Sequence, residues 1–275
     1  MADKAIDPVP IEFLEHDGVA LAFRRSAGVG AEGGGAGLVW LGGFHSDMEG
    51  EKACALHAAA DGEGRAFLRF DYTGHGASGG AFADGTIGRW RSDALAAIDR
   101  LTAGPLVLAG SSMGGWLALL CALARPERVK GLVLLAPAAD FTERLMWARF
   151  GPEQRQAILD TGSWTRPSAY DPAGYPVTAR LIEEGRDWLI MDGEIAFDGP
   201  VRILHGGCDE DVPWSHSFEL VGRLRTPNVD WTLIKDGDHR LSRREDIAAM
   251  IAAALGMALA VDGISRTGAR EARSG

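Results

Sequence analysis

Short apolar runs alternate with longer segments of helical periodicity along most of the chain. Several runs, such as residues 37–41 and 106–109, are continuously apolar, which is typical of strands buried on both faces of a parallel sheet. The predicted strands are residues 11–14, 19–23, 37–41, 65–71, 106–109, 131–136, 201–205 and 229–234. The predicted helices are residues 51–60, 88–101, 113–124, 215–224 and 244–260. This order of elements predicts an α/β fold in which helices flank a mostly parallel, eight-stranded sheet with right-handed crossovers.

Residues 141–199 interrupt this alternation, since they show no convincing strand pattern and are rich in aromatic residues and prolines. We interpret them as a small, mainly helical cap that is inserted over the carboxyl edge of the sheet. The core then comprises residues 1–140 and 200–261. Residues 262–275 are polar and rich in Gly, Arg and Ser, so we expect a disordered tail there.

Two uncharged stretches resemble membrane spans at first sight. Residues 104–124 are long enough to cross a bilayer. However, Pro105 and the glycines of this stretch favour a strand, a tight turn and a buried helix. Residues 247–261 are shorter and rich in alanine, which is typical of a helix packed on a core. We therefore predict no transmembrane segment.

Composition and charge exclude several classes of partner. The 275 residues carry 28 Lys and Arg against 38 Asp and Glu, and the net charge of −10 disfavours nucleic acid and anionic membranes. The three cysteines are widely spaced without a CxxC pair, so neither a disulfide framework nor a zinc site is predicted. We expect no cofactor, because metal-ligand and dinucleotide-binding motifs are absent from the sequence. The cysteine usage and the lack of a secretory signal predict a cytoplasmic location.

The strongest chemical signal is a candidate nucleophile, Ser112. The segment Gly110-Ser111-Ser112-Met113-Gly114 fits the pattern G-x-S-x-G only with Ser112 at its centre. An apolar strand precedes it and an apolar helix follows it, as a nucleophile on a sharp strand-to-helix turn requires. Such a turn places the serine hydroxyl near a helix N-terminus, which favours developing negative charge.

A serine hydroxyl needs a base, and the base needs an acid that orients it. In a sheet of this type, the acid and then the histidine are expected after later strands. Asp209 follows the predicted strand 201–205, and His239 follows the predicted strand 229–234. We therefore predict Asp209 as the acid and His239 as the base. The competing candidates for the acid are Glu210, Asp211 and Asp140.

Two backbone N–H groups are the candidate donors for an oxyanion. One belongs to Met113, directly after the nucleophile, and the other to Phe44, in the loop after the third predicted strand. Gly42 and Gly43 leave room for a carbonyl group to approach the backbone of that loop. A plain turn at the end of the strand is the alternative interpretation.

Two further segments resemble motifs of the α/β-hydrolase superfamily. Residues 71–78 are similar to its D-x-x-G-x-G-x-S loop, and residues 205–213 to its H-G-x-x-D-x-x-V-P segment, in which the first acid is the triad aspartate. This resemblance covers residues 37–259 and selects Asp209 over its rivals. Where the family often has His-Gly before the oxyanion residue, this chain has Gly42-Gly43.

Shorter segments resemble a mitochondrial branch of these serine hydrolases. They are residues 69–72, 88–91, 110–116, 124–127, 212–214 and 238–240. The resemblance implies hydrolysis of carboxylic esters or acyl thioesters through an acyl-enzyme. The expected partner is a small-molecule ester or thioester, or an acylated protein. The amino terminus shows no clear mitochondrial address. The fold leaves open a carbon–carbon bond hydrolase, a peptidase or a non-catalytic binding protein.

Overall fold

The computed structural model describes residues 9–28, 35–167, 172 and 174–274. Within these residues the chain forms ten strands: β1 (Glu12–His16), β2 (Val19–Ser26), β3 (Gly37–Leu41), β4 (Phe67–Phe70), β5 (Leu106–Ser111), β6 (Val129–Leu135), β7 (Ser163–Arg166), β8 (Tyr175–Thr178), β9 (Val201–Gly206) and β10 (Val229–Ile234). The same residues form seven α-helices: α1 (Glu51–Gly62), α2 (Ile87–Leu101), α3 (Met113–Ala124), α4 (Pro152–Thr161), α5 (Ala179–Gly185), α6 (Trp214–Arg223) and α7 (Arg244–Ser274). Single-turn helices are a π-helix at Thr142–Met146 and 3₁₀-helices at Phe82–Asp84, Trp147–Arg149 and Arg186–Trp188.

Eight strands form one sheet in the order β1-β2-β4-β3-β5-β6-β9-β10. The pairs from β4 to β10 are parallel, whereas β2 runs antiparallel to both β1 and β4. In register, Leu41 at the end of β3 lies opposite Gly110 of β5, and Ile234 of β10 lies opposite Gly206 of β9. The carboxyl ends of these four strands therefore meet at one edge of the sheet. This topology confirms the predicted α/β fold.

Helices cover both faces of the sheet, and alternate residues of a buried strand face different helices. Along β3, Val39 and Leu41 join the core formed with α2 and α3. Leu38 and Trp40 join the core formed with α1 and α7. Burying one leucine in this way contributes about 1.5–3 kcal/mol. Two cores of this kind fix the register of β3, because a one-residue slip would exchange its two faces.

Helix α7 explains the second uncharged stretch of the sequence. Its Arg244–Gly263 segment is long and apolar enough, by length and composition alone, to cross a membrane. Met250, Ala254 and Ala258 on its inner face are fully or almost fully buried in the core that also contains β3. Packing against the sheet therefore accounts for the apolar residues on its inner face, as predicted from the alanine-rich pattern.

The predicted strands and helices are all present, and apart from the C-terminal end of α7 their ends shift by only a few residues. Two features differ from the expectations. The segment 141–199 contains a two-stranded antiparallel hairpin of β7 and β8 beside its short helices. Strands of four residues carry little periodicity, so their pairing was not visible in the sequence. Helix α7 also continues to Ser274, through most of the expected disordered tail, where no proline interrupts it.

Candidate active site

Ser112 lies on a sharp turn between β5 and α3. Its backbone has φ 55° and ψ −118°, which is unusual for a residue other than glycine and costs about 1–3 kcal/mol. A side chain at Gly110 would overlap the carbonyl of Gly114, and one at Gly114 would overlap the carbonyl of Leu41. The two glycines of G-x-S-x-G therefore let three backbone segments meet around Ser112. The predicted strand–turn–helix geometry is confirmed.

The three side chains proposed from the sequence as a triad form one hydrogen-bonded line. The hydroxyl of Ser112 lies 3.1 Å from Nε2 of His239, and Nδ1 of His239 lies 2.7 Å from Oδ2 of Asp209. Because a carboxylate can only accept, the proton of a neutral His239 is on Nδ1. Nε2 then presents its lone pair to the Ser112 hydroxyl, as a general base requires.

Asp209 is held as an ionised group although its side chain is fully buried. Burial alone would raise the pKa of Asp209. Hydrogen bonds from His205 and His239, the charge of His239 and the Val212 N–H outweigh burial and hold that pKa well below its usual range. Oδ1 accepts the backbone N–H groups of Asp211 at 3.0 Å and Val212 at 2.8 Å. A carboxylate fixed by four donors orients His239 and stabilises its charged form.

The rival acids have other positions. Asp211 pairs with Arg166 at 3.2 Å, and Glu210 is exposed at the mouth of the site. Asp140 is buried and accepts the backbone N–H groups of Ile190 and Met191, at 2.9 and 2.8 Å. Its carboxylate therefore ties together two ends of the segment 141–199.

His205, near the end of β9, is a second histidine in contact with Asp209. Its Nε2 lies 2.9 Å from the carbonyl of Val212 and 3.2 Å from Oδ2 of Asp209. The carbonyl can only accept, so Nε2 carries the proton and points toward both oxygens. The sequence signals for His205 are its position four residues before Asp209, near the end of β9, and its place as the first residue of the H-G-x-x-D-x-x-V-P resemblance.

The loop after β3 passes directly beside Ser112. A Cβ placed on Gly43 would lie 3.5 Å from Cβ of Ser112. Phe44 and Met113, the two residues predicted to donate N–H groups to an oxyanion, line the same cavity as Ser112 and His239. Met113 is also the first residue of α3, where the helix dipole favours negative charge.

This cavity has a volume of about 800 Å³ and opens at the carboxyl edge of the sheet. The segment 141–199 supplies an apolar wall of Phe141, Leu145 and Met146, which lies at and beside the π-helix Thr142–Met146. Such turns are rare and occur often at functional sites. The sequence did not identify these residues as cavity-lining, because only the fold shows which aromatic and aliphatic side chains point inward.

Lys52 of α1 also lines this cavity and was not predicted there. Its ammonium group donates to the backbone carbonyl of Arg240, the residue after His239. Burial, together with the nearby charge of Arg240, lowers the pKa of Lys52 to about 8. The helical pattern around Lys52 indicates a surface position, so nothing in the sequence connects Lys52 to the loop that carries His239 and Arg240.

Comparisons with known proteins identify the family. The family model described as serine aminopeptidase, S33, matches residues 39–172. The mitochondrial palmitoyl-protein thioesterase ABHD10 of Mus musculus is 41% identical over 216 residues, which cover 78% of this chain and 72% of the mouse protein. The ABHD10 relatives from mouse, rat and human are described as mitochondrial, so they do not support the cytoplasmic location expected from the sequence.

Solved structures give the same result. The crystal structure of a predicted hydrolase from Agrobacterium vitis S4 has a TM-score of 0.87 and 40% identity, covering 92% of this chain and 100% of that one. Alpha/beta hydrolase domain-containing protein 10 from mouse has a TM-score of 0.80 and 38% identity, covering 89% of this chain and 96% of that one. The chain therefore belongs to the α/β-hydrolase family of serine hydrolases that includes palmitoyl-protein thioesterase ABHD10.

Proposed function

We propose that this protein hydrolyses acyl thioesters and carboxylic esters by transferring the acyl group to Ser112 and then to water. The observation that carries the proposal is the hydrogen-bonded line from Ser112 through His239 to buried Asp209, in which Ser112 and His239 line a cavity of about 800 Å³. That volume lies within the range of about 300–1,000 Å³ that small-molecule sites occupy. The thioesterase activity named for the mouse relative supports the same chemistry.

The proposed reaction has two halves. His239 takes the hydroxyl proton of Ser112 as its oxygen attacks the acyl carbonyl, and Asp209 stabilises the imidazolium that forms. The N–H groups of Phe44 and Met113 hold the oxyanion, after which His239 returns the proton to the leaving group. Water then attacks the acyl-enzyme with His239 as base, releasing the acid and restoring the Ser112 hydroxyl.

Leaving-group chemistry favours thioesters and esters over amides. A cysteine thiol has a pKa of about 8.5, so a thiolate leaves with little help from an acid. An alkoxide needs the proton that His239 carries, and an amine needs it before the C–N bond breaks. We accordingly propose an acylated cysteine of a protein, or a small thioester or ester, as the substrate.

The cytoplasmic location stays a prediction, which imaging of the tagged protein in its own cells tests.

A substrate screen tests the proposal. p-Nitrophenyl esters from acetate to palmitate, acyl-CoA and S-palmitoylated peptide thioesters are compared with aminoacyl nitroanilides and a carbon–carbon hydrolase substrate. We expect the wild type to hydrolyse esters and thioesters, and we expect Ser112→Ala to abolish this activity. The matched control is Ser242→Ala, which removes a cavity hydroxyl bonded to the carbonyl of Arg240 and should leave turnover unchanged.

The other outcomes of the screen contradict the proposal in different ways. Preferential cleavage of the nitroanilides would indicate a peptidase. A fluorophosphonate that fails to label folded protein would favour a non-catalytic binding protein. Residual activity of Ser112→Ala near that of the wild type would remove Ser112 from the reaction.

A further inference from the structure

His75 is a buried histidine that the proposed reaction does not use. It lies in the loop after β4 with 3% of its surface exposed. Its ring is enclosed by three aromatic side chains, with ring centroids 5.4 Å from Tyr72, 5.0 Å from Phe82 and 5.2 Å from Trp90. A polar ring in such a place needs hydrogen-bond partners for its nitrogens, because an unpaired buried polar group costs about 1–3 kcal/mol.

The partners of His75 fix its tautomer. Nδ1 lies 3.3 Å from the carbonyl oxygen of Thr73, which can only accept, so Nδ1 carries the proton. Nε2 therefore accepts, and it faces the backbone N–H of His45 at 3.3 Å. Burial, and to a smaller extent the neighbouring His45, lowers the pKa of His75 to about 4. His75 consequently remains a neutral acceptor for the His45 N–H near neutral pH.

His45 belongs to the turn that presents the Phe44 N–H. Ser46 donates to the carbonyl of Gly43 at 3.1 Å, which closes a four-residue turn with Phe44 and His45 in the middle. His45 has φ 58°, a value that glycine or asparagine usually supplies at the third position of a type II turn. A histidine there is strained, so the turn depends on contacts that hold its backbone.

The side chain of Phe44 anchors the same turn from the other direction. Its ring lies 4.9 Å from the ring of Phe82 and 5.9 Å from that of Trp90, measured between centroids. These two rings also enclose His75. One aromatic cluster therefore supports both the acceptor nitrogen of His75 and the residue whose N–H is proposed to bind the oxyanion.

We propose that His75 is a positioning residue: by accepting the His45 N–H, it holds the strained turn that aims the Phe44 N–H at the oxyanion. This inference rests on the proposed acyl transfer and on the role of Phe44 in it. His75 does not line the cavity that contains Ser112. Its loss therefore weakens transition-state binding without removing the nucleophile or the base.

The test compares three variants on p-nitrophenyl butyrate. Removing a whole oxyanion donor costs about 10²–10³-fold in kcat, so misplacing one through His75→Leu should lower kcat about 10- to 100-fold with KM little changed. His75→Gln places an amide oxygen where Nε2 accepts, and should restore kcat to within about threefold of wild type. His216→Leu is the matched control, since His216 is also buried and bonds a backbone carbonyl, that of Ala139. It should lower stability without changing kcat of the folded protein.

Two further readouts separate the possible failures. Affinity for a trifluoromethyl ketone, which forms an oxyanion on Ser112, should fall by the same factor as kcat in His75→Leu, while fluorophosphonate labelling of Ser112 still goes to completion. If His75→Leu, corrected for its folded fraction, has wild-type kcat, or if His75→Gln is as slow as His75→Leu, the positioning role is wrong. If the wild type itself neither hydrolyses the ester nor labels, the proposed function has failed instead.

Discussion

The substitution Asp209→Asn changes one oxygen of a buried carboxylate into an NH₂ group and leaves the volume of the side chain unchanged. If the amide oxygen keeps the N–H groups of Asp211 and Val212, the new NH₂ group faces Nδ1 of His239. His239 must then carry its proton on Nε2, where it cannot accept the proton of Ser112. In the opposite rotamer, the NH₂ group faces the backbone N–H groups of Asp211 and Val212, which then lose their acceptor.

The magnitude follows from this loss of the correct tautomer. Fixing histidine in the wrong tautomer lowers kcat about 10⁴-fold in enzymes that use this arrangement, while substrate binding is retained. Stability should also fall, because each charge-assisted hydrogen bond to the carboxylate contributes about 1.5–3 kcal/mol. We therefore expect Asp209→Asn to fold, to bind ester with nearly unchanged KM and to turn it over about 10⁴-fold more slowly.

Steady-state hydrolysis of p-nitrophenyl butyrate measures kcat and KM, and urea denaturation measures the free energy of unfolding. Glu210→Gln is the matched control, because Glu210 is the exposed neighbour of Asp209 and lines the same cavity. It should keep wild-type values of kcat and stability. Asp209→Asn with kcat within about tenfold of wild type would refute the role of Asp209 as the orienting acid.

Three further substitutions test the packing and the electrostatics. The pKa of His75, lowered to about 4 by burial, lies below the unfolded value, so the unfolded state takes up the proton first as pH falls. Between pH 7 and pH 4.5, the free energy of unfolding measured by urea denaturation should fall by about 2–3 kcal/mol more in the wild type than in His75→Gln. Burial raises the pKa of Asp71 to about 6, which stabilises the folded state as pH falls. This opposite effect is the same in both proteins and does not change the difference between them. Gly114→Ala should cost about 1–3 kcal/mol in denaturation and lower kcat, because the methyl group meets the backbone carbonyl of Leu41. Leu145→Trp places a larger side chain in the apolar wall and reduces the space in the cavity for a long acyl chain. It should lower kcat/KM for palmitate esters about tenfold more than for acetate esters.

The fold and the three hydrogen-bonded side chains of the site could be predicted from the sequence for one physical reason. Parallel strands end at one edge of a sheet, so residues that follow strands meet there even when they are far apart in the chain. Ser112, Asp209 and His239 each follow a predicted strand, and the structure brings them within hydrogen-bonding distance.

The contacts that support these residues were not accessible from the sequence. Lys52 contacts Arg240, the residue after His239, and His75 contacts the turn at His45. Both contacts depend on how helices and loops pack against each other, and such packing leaves no local pattern in the sequence. The hairpin of β7 and β8 was missed because four-residue strands are stabilised by each other, not by their own periodicity.

Mass spectrometry of the protein during turnover tests the chemistry most directly. The protein is mixed with a palmitoyl thioester, quenched in acid within the first turnover and digested. We predict one palmitoyl group in ester linkage on Ser112, at a level that Asp209→Asn reduces and Ser112→Ala removes. A palmitoyl group found instead on Cys208, an exposed free cysteine that lines the same cavity, or turnover with no acylated peptide at all, would contradict an acyl-enzyme on Ser112.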